Sequence, residues 1–146
     1  MMRAKMITCG SVLACSLLLF AGLLASADNK KDKPALTGTW VQKEGEHKIE
    51  FADKNVMNLF PHGENKVIVI VCEYSVEKEN RVKAKITGFD GSSDEAKNRV
   101  KEILPVGTEF SFQWKAKDDT AKLDDFKCDK AEQLKSHFEG EYEKKK

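Results

Sequence analysis

The segment Glu109-Phe110-Ser111-Phe112-Gln113-Trp114-Lys115-Ala116 puts Phe110, Phe112, Trp114 and Ala116 on one side of an extended chain and polar residues on the other. Successive side chains of a pleated strand point to opposite faces, so strict alternation is the mark of a half-buried strand. A face carrying two phenyl rings and an indole must be covered. It therefore calls for a sheet that stacks or closes on itself. The same period of two dominates from Thr37 onward, and turn residues recur about every ten positions.

Strands are predicted over Thr37–Glu44, His47–Ala52, Val56–Phe60, Lys66–Val76, Arg81–Gly88, Phe110–Ala116, Thr120–Cys128 and His137–Glu143. Turns fall at Glu44-Gly45-Glu46, Asp53-Lys54-Asn55, Pro61-His62-Gly63, Lys78-Glu79-Asn80 and Lys117-Asp118-Asp119. Leu123 and Phe126 have opposite parity in one strand, and a bulge at Asp124-Asp125 reconciles them. The period changes once. Ser93 is a good N-cap, Asp94 and Glu95 suit a first turn, and Ala96, Val100, Ile103 and Leu104 recur at helical spacing until Pro105. An amphipathic helix over about 93–104 follows. Asp129–Lys135 reads as one or two helical turns. A helix continuing through Tyr142 competes with the final strand, and Gly140 disfavours it. The sum is an all-β, antiparallel up-and-down barrel of about eight strands, with one helix between strands five and six. The first strand would close on the last, Gly140 allowing close approach opposite Gly38-Thr39-Trp40.

Ahead of this domain, Arg3 and Lys5 precede an almost uncharged apolar run from Met6 to Leu24, and Ala25-Ser26-Ala27 has the small residues of a signal-peptidase site. This predicts a signal peptide over 1–27, cleaved after Ala27, and an extracytoplasmic, periplasmic or secreted location. Two other readings stand beside it. Ile7–Ala27 is long enough for an uncleaved anchor, and Val12-Leu13-Ala14-Cys15 is a loose lipoprotein box. Asp28–Leu36 is polar and predicts a disordered lead-in, leaving a barrel domain over 37–144.

Of 25 basic residues, Arg3 and Lys5 leave with the leader, so 23 face 24 acidic ones. Both signs are interleaved, which gives a solvated surface and no nucleic-acid footprint. A monomer without membrane contact beyond the leader is expected. Cys72 and Cys128 remain in an oxidising compartment. A disulfide between them would be worth about 4 kcal/mol in the chain-entropy model. Two separately buried thiols are the other reading.

Leu36-Thr37-Gly38-Thr39-Trp40 resembles the Gly-x-Trp motif that opens the first strand of lipocalin-like barrels. Tyr74-Ser75-Val76 before a short turn, and Gly140-Glu141-Tyr142 near the end, are similar to small secreted paralogous proteins of planctomycete-type bacteria. That family is uncharacterised and supplies no catalytic residues. The lipocalin resemblance implies an arginine of the last strand over the tryptophan, yet the C-terminal strand has none. It also implies a long helix after the eighth strand, whereas here the best helix comes between the fifth and sixth. The ligand calyx of lipocalins does not transfer with the motif.

Signs of chemistry are sparse. His47, His62 and His137 show no i, i+4 pair, and there is no Cys-x-x-Cys, so spacing gives no metal site. Asp90-Gly91-Ser92-Ser93-Asp94 is no calcium loop, with Glu95 in place of the required glycine and Lys101 at the twelfth position. There is no Gly-x-Ser-x-Gly elbow and no phosphate loop. Asp118-Asp119 and Asp124-Asp125 are adjacent pairs that diverge on a strand. The expectation is no enzyme and no cofactor. What remains is the aromatic interior: Trp40, Tyr74, Phe110, Phe112, Trp114 and Tyr142 either line a ligand pocket or fill the barrel. The first reading makes the protein a carrier of a small apolar ligand. The second makes it a binding or scaffold module for an envelope protein.

Overall fold

The computed structural model describes residues 36–146. The leader over 1–27, its cleavage after Ala27 and the lead-in before Leu36 lie outside the described residues. The chain runs β1 (Gly38–Gln42), β2 (Lys48–Phe51), β3 (Val56–Phe60), β4 (Val69–Val76), β5 (Arg81–Asp90), α1 (Asp94–Ile103), β6 (Glu109–Lys117), β7 (Thr120–Lys127), α2 (Lys135–Phe138) and β8 (Gly140–Lys144). Each strand pairs antiparallel with its chain neighbours, and β8 returns to β1, so the sheet is a closed eight-stranded barrel. At the seam Trp40 faces Lys144 and Gln42 faces Tyr142. Closure leaves no strand edge to template aggregation.

The two ends of the barrel differ. At one, Lys54 and Asn55 have φ of 61° and 61°, and Glu79 and Asn80 have 61° and 59°. Positive φ at both central residues is the type I′ hairpin turn, whose twist matches the flanking strands. Asp118, with φ 55°, begins the equally short link from Lys117 to Thr120. The other end carries the long connections, 61–68, 91–108 and 128–139, and these hold both helices. Leu104, after α1, and Ala131 and Phe138, around α2, are buried there and plug the barrel.

The predicted bulge is present. Ser111 pairs Lys127 but Gln113 pairs Asp124, so β7 spends one extra residue, and Asp125 takes φ 50°. Leu123 and Phe126 thereby both point inward despite opposite parity. The helix also stands where expected, with the Ser93 hydroxyl accepting from Ala96 N at 3.2 Å.

Several expectations need correction. The final strand does not begin at His137. Residues 135–138 form a helical turn, held by the Tyr142 hydroxyl donating to Phe138 O at 2.7 Å, and extended pairing starts only at Gly140. Gly140 does not lie opposite Gly38-Thr39-Trp40; the antiparallel register sets it against Leu123. Close approach is nonetheless its role, because a Cβ there would stand 2.9 Å from Gln42 Nε2. β4 starts at Val69, not Lys66, since the carbonyls of Lys66 and Val67 accept from Ser92 N and Ser93 N at the entrance to α1. Ile103 faces solvent, the turn after it burying Leu104 instead. Leu36 belongs to the core and not to the lead-in: it is buried, and its carbonyl accepts from Trp40 Nε1 at 2.9 Å.

Candidate functional site

Three places could carry function: the interior, the outer wall and the plugged rim. Inside, Trp114 is wholly buried among aromatic rings, meeting Trp40 and Phe51 edge-on at 5.3 Å each and Tyr142 at 5.5 Å. Such edge-to-face pairs add to plain area burial. Phe112 lies against Trp114, while Phe110 packs on Phe126, and Phe126 stacks on Phe138 of the plug at 5.4 Å. Burial pushes the Tyr142 hydroxyl pKa upward. Tyr74 departs from the set. It is half-buried near the tight-turn end, edge-on to Phe51 at 5.2 Å, and burial followed by the charge of Asp53 raises its pKa.

The interior is filled. Beneath the plug, a cavity bounded by Leu59, Ile70, Ile86, Leu104, Phe126 and Phe138 encloses about 10 Å³. That is roughly the space of one water molecule and far below an organic ligand. One polar atom inside is orphaned: among the described residues, Trp114 Nε1 is buried with no hydrogen-bond partner. Cys72 and Cys128 are both buried free thiols, so the disulfide is not formed. Cys72 lies within β4, whereas Cys128 follows the end of β7. Burial raises the Cys72 thiol to about 12.

Outside, a depression of about 600 Å³ crosses β4, β5 and β6 and reaches the end of β7. Strand alternation lines it with Glu73, Lys83, Lys85, Glu109, Lys127 and Asp129, three residues of each sign. Beside it the bulge makes a fixed charged corner. Arg81 pairs with Asp125 and donates to Ser111 Oγ at 3.1 Å, and Lys127 lies 3.3 Å from the same carboxylate. These partners, Arg81 foremost, hold the Asp125 carboxyl below its ordinary range. Composition exposes no such groove, because it comes from register: Lys83 faces Ser111, and Ser111 faces Lys127.

At the plugged rim the fold gathers histidines that are distant in sequence. The rings of His47, before β2, and His137, in α2, have centroids 6.3 Å apart. His47 Nδ1 lies 3.0 Å from Gln42 Oε1, and Gln42 Nε2 donates to the carbonyls of His137 and Glu139 at 3.3 Å each. Burial lowers the His47 pKa, with the positive charges of His137 and His62 acting in the same direction. Among the described residues no three His, Cys, Asp or Glu side chains converge as a metal cluster. At the opposite rim Lys144 of β8 stands over Trp40, its Nζ 5.5 Å from the ring centroid.

No family model, curated protein or solved structure matches this chain.

Proposed function

We propose that this protein is a secreted, non-enzymatic binding module of the cell envelope, which recognises a partner protein through the outer groove over β4–β7. One observation carries the reading: the cavity beneath the plug encloses about 10 Å³, whereas the groove on the outer wall offers about 600 Å³. A carrier of an apolar molecule needs a chamber of some 300 Å³ or more, so the filled core supports recognition at the surface. The lining suits a polypeptide carrying both charges. Lys83, Lys85 and Lys127 would meet carboxylates, while Glu73, Glu109 and Asp129 would meet basic side chains, an arrangement that favours specificity over raw affinity.

The test is cross-linking in envelope fractions with the parent and with a Lys83→Glu, Lys85→Glu, Lys127→Glu variant. These lysines are exposed, so the variant should fold. A cross-linked partner lost in the variant and retained in Glu44→Lys, outside the groove, supports the proposal. Equal capture by all three proteins refutes it.

A further inference from the structure

We propose that His47 and His137 form a two-imidazole site for a divalent first-row transition ion such as Zn2+, completed by water. The first ground is proximity. Two imidazoles sharing one tetrahedral zinc at Zn–N distances of about 2.0–2.1 Å have ring centroids roughly 5 Å apart. The observed separation is 6.3 Å. Closing it takes a swing of about 1 Å, and His137 is exposed and can turn about its side-chain bonds.

The second ground is the tautomer. Gln42 Nε2 points at two backbone carbonyls, those of His137 and Glu139, which can only accept. The amide is therefore fixed with Oε1 towards His47, and His47 Nδ1 must carry the hydrogen that it donates there. This leaves the lone pair on Nε2. A ligating histidine commonly shows this arrangement, its other nitrogen donating to an acceptor that sets ring orientation and basicity. His47 Nε2 makes no hydrogen bond among the described residues and is not among their buried unpartnered atoms, so solvent reaches it.

The third ground is a rigid frame. The His47 ring packs on Phe138 at 5.2 Å, next to His137 in α2. Gln42 ties β1 to both sides of that residue, and Tyr142 bonds the Phe138 carbonyl. One imidazole is held and the other hinges beside it. Spacing rules miss such a pair because the ligands come from opposite ends of the barrel sequence, and only closure of β8 on β1 brings them together.

The experiment titrates the full-length protein with Zn2+ alone, following heat and the imidazole ¹H–¹⁵N spectrum. Before zinc, His47 should show the Nδ1–H tautomer; on saturation its Nε2 should shift together with a His137 nitrogen. His137→Ala, an exposed change that should not disturb folding, should weaken binding at least about tenfold, and Gln42→Met by about 10-fold or more through the lost tautomer lock. His62→Ala should leave the affinity within about twofold, since His62 lies outside the pair. The proposal is overturned by absence of saturable binding or by an unmoved His47 ring. Undiminished zinc binding by His137→Ala would place the ion away from the histidine pair and overturn it equally.

Discussion

Trp40→Phe and Trp114→Phe are the same chemical change at two equally buried positions, yet their costs should differ by about 2–4 kcal/mol. Both indoles are 1% exposed or less. Exchanging indole for phenyl removes about three heavy atoms at either site, or about 2–3 kcal/mol at ~0.8 kcal/mol per buried methylene-sized group. The N–H then separates them. That of Trp40 donates to the Leu36 carbonyl at 2.9 Å, so its loss strands an acceptor and adds about 1–2 kcal/mol. That of Trp114 has no partner among the described residues, so its removal relieves an unpaired donor and returns about 1–2 kcal/mol. The totals are about 3–5 kcal/mol for Trp40→Phe and about 0–2 for Trp114→Phe. Urea unfolding followed by far-ultraviolet circular dichroism measures both, provided the m-values match the parent. Equal midpoints, or a larger loss at Trp114, would refute the assignment of the orphaned donor.

Further expectations follow from the same geometry. Phe112→Asp buries an unpaired carboxylate in the aromatic face and should prevent stable folding, while Glu109→Ala and Lys115→Ala should shift stability by less than about 1 kcal/mol in thermal melts. Truncation after Lys135 removes β8 and opens edges on β1 and β7, so light scattering should detect aggregation; a monomer with unchanged Tm would contradict closure. The Cys72 thiol, ordinarily near 9.0, is raised to about 12 in the fold, so the unfolded chain loses its proton first. The contribution of this thiol should therefore be constant below pH 9, with stability falling as pH climbs from 9 towards 12, and Cys72→Ala should flatten that slope in urea midpoints.

The sequence makes the barrel legible wherever one face is apolar and the other polar. Phe110, Phe112 and Trp114 alternate against Ser111 and Gln113, and this fixes β6 as well as the need for a cover. The parity conflict of Leu123 and Phe126 exposes the bulge for the same reason. The C-terminal segment is harder, because Ala131, Leu134 and Phe138 fit a helical face while Phe138, Gly140 and Tyr142 fit a strand. Both patterns are true in succession, and what ends the first is a tertiary contact, Tyr142 to Phe138. The outer groove and the histidine pair are invisible for a stronger reason. They depend on register and closure, which bring Lys83 beside Ser111 and His47 beside His137, and no local pattern encodes either pairing. Alternation does show that rings face inward, but whether they meet depends on barrel girth, so filled and hollow interiors read alike.

The β1–β8 seam has a consequence for connectivity. Lys145 N donates to the carbonyl of Thr39, which places the two ends of the barrel segment side by side at the tight-turn rim. A linker of a few residues from Lys146 to Leu36 would make one more hairpin link on that rim. The ladder is then a ring of neighbouring strands with no intrinsic first member. Opening it at the exposed turn Lys78–Asn80 would yield a circular permutant with every strand pairing preserved, the order of synthesis altered and the barrel the same.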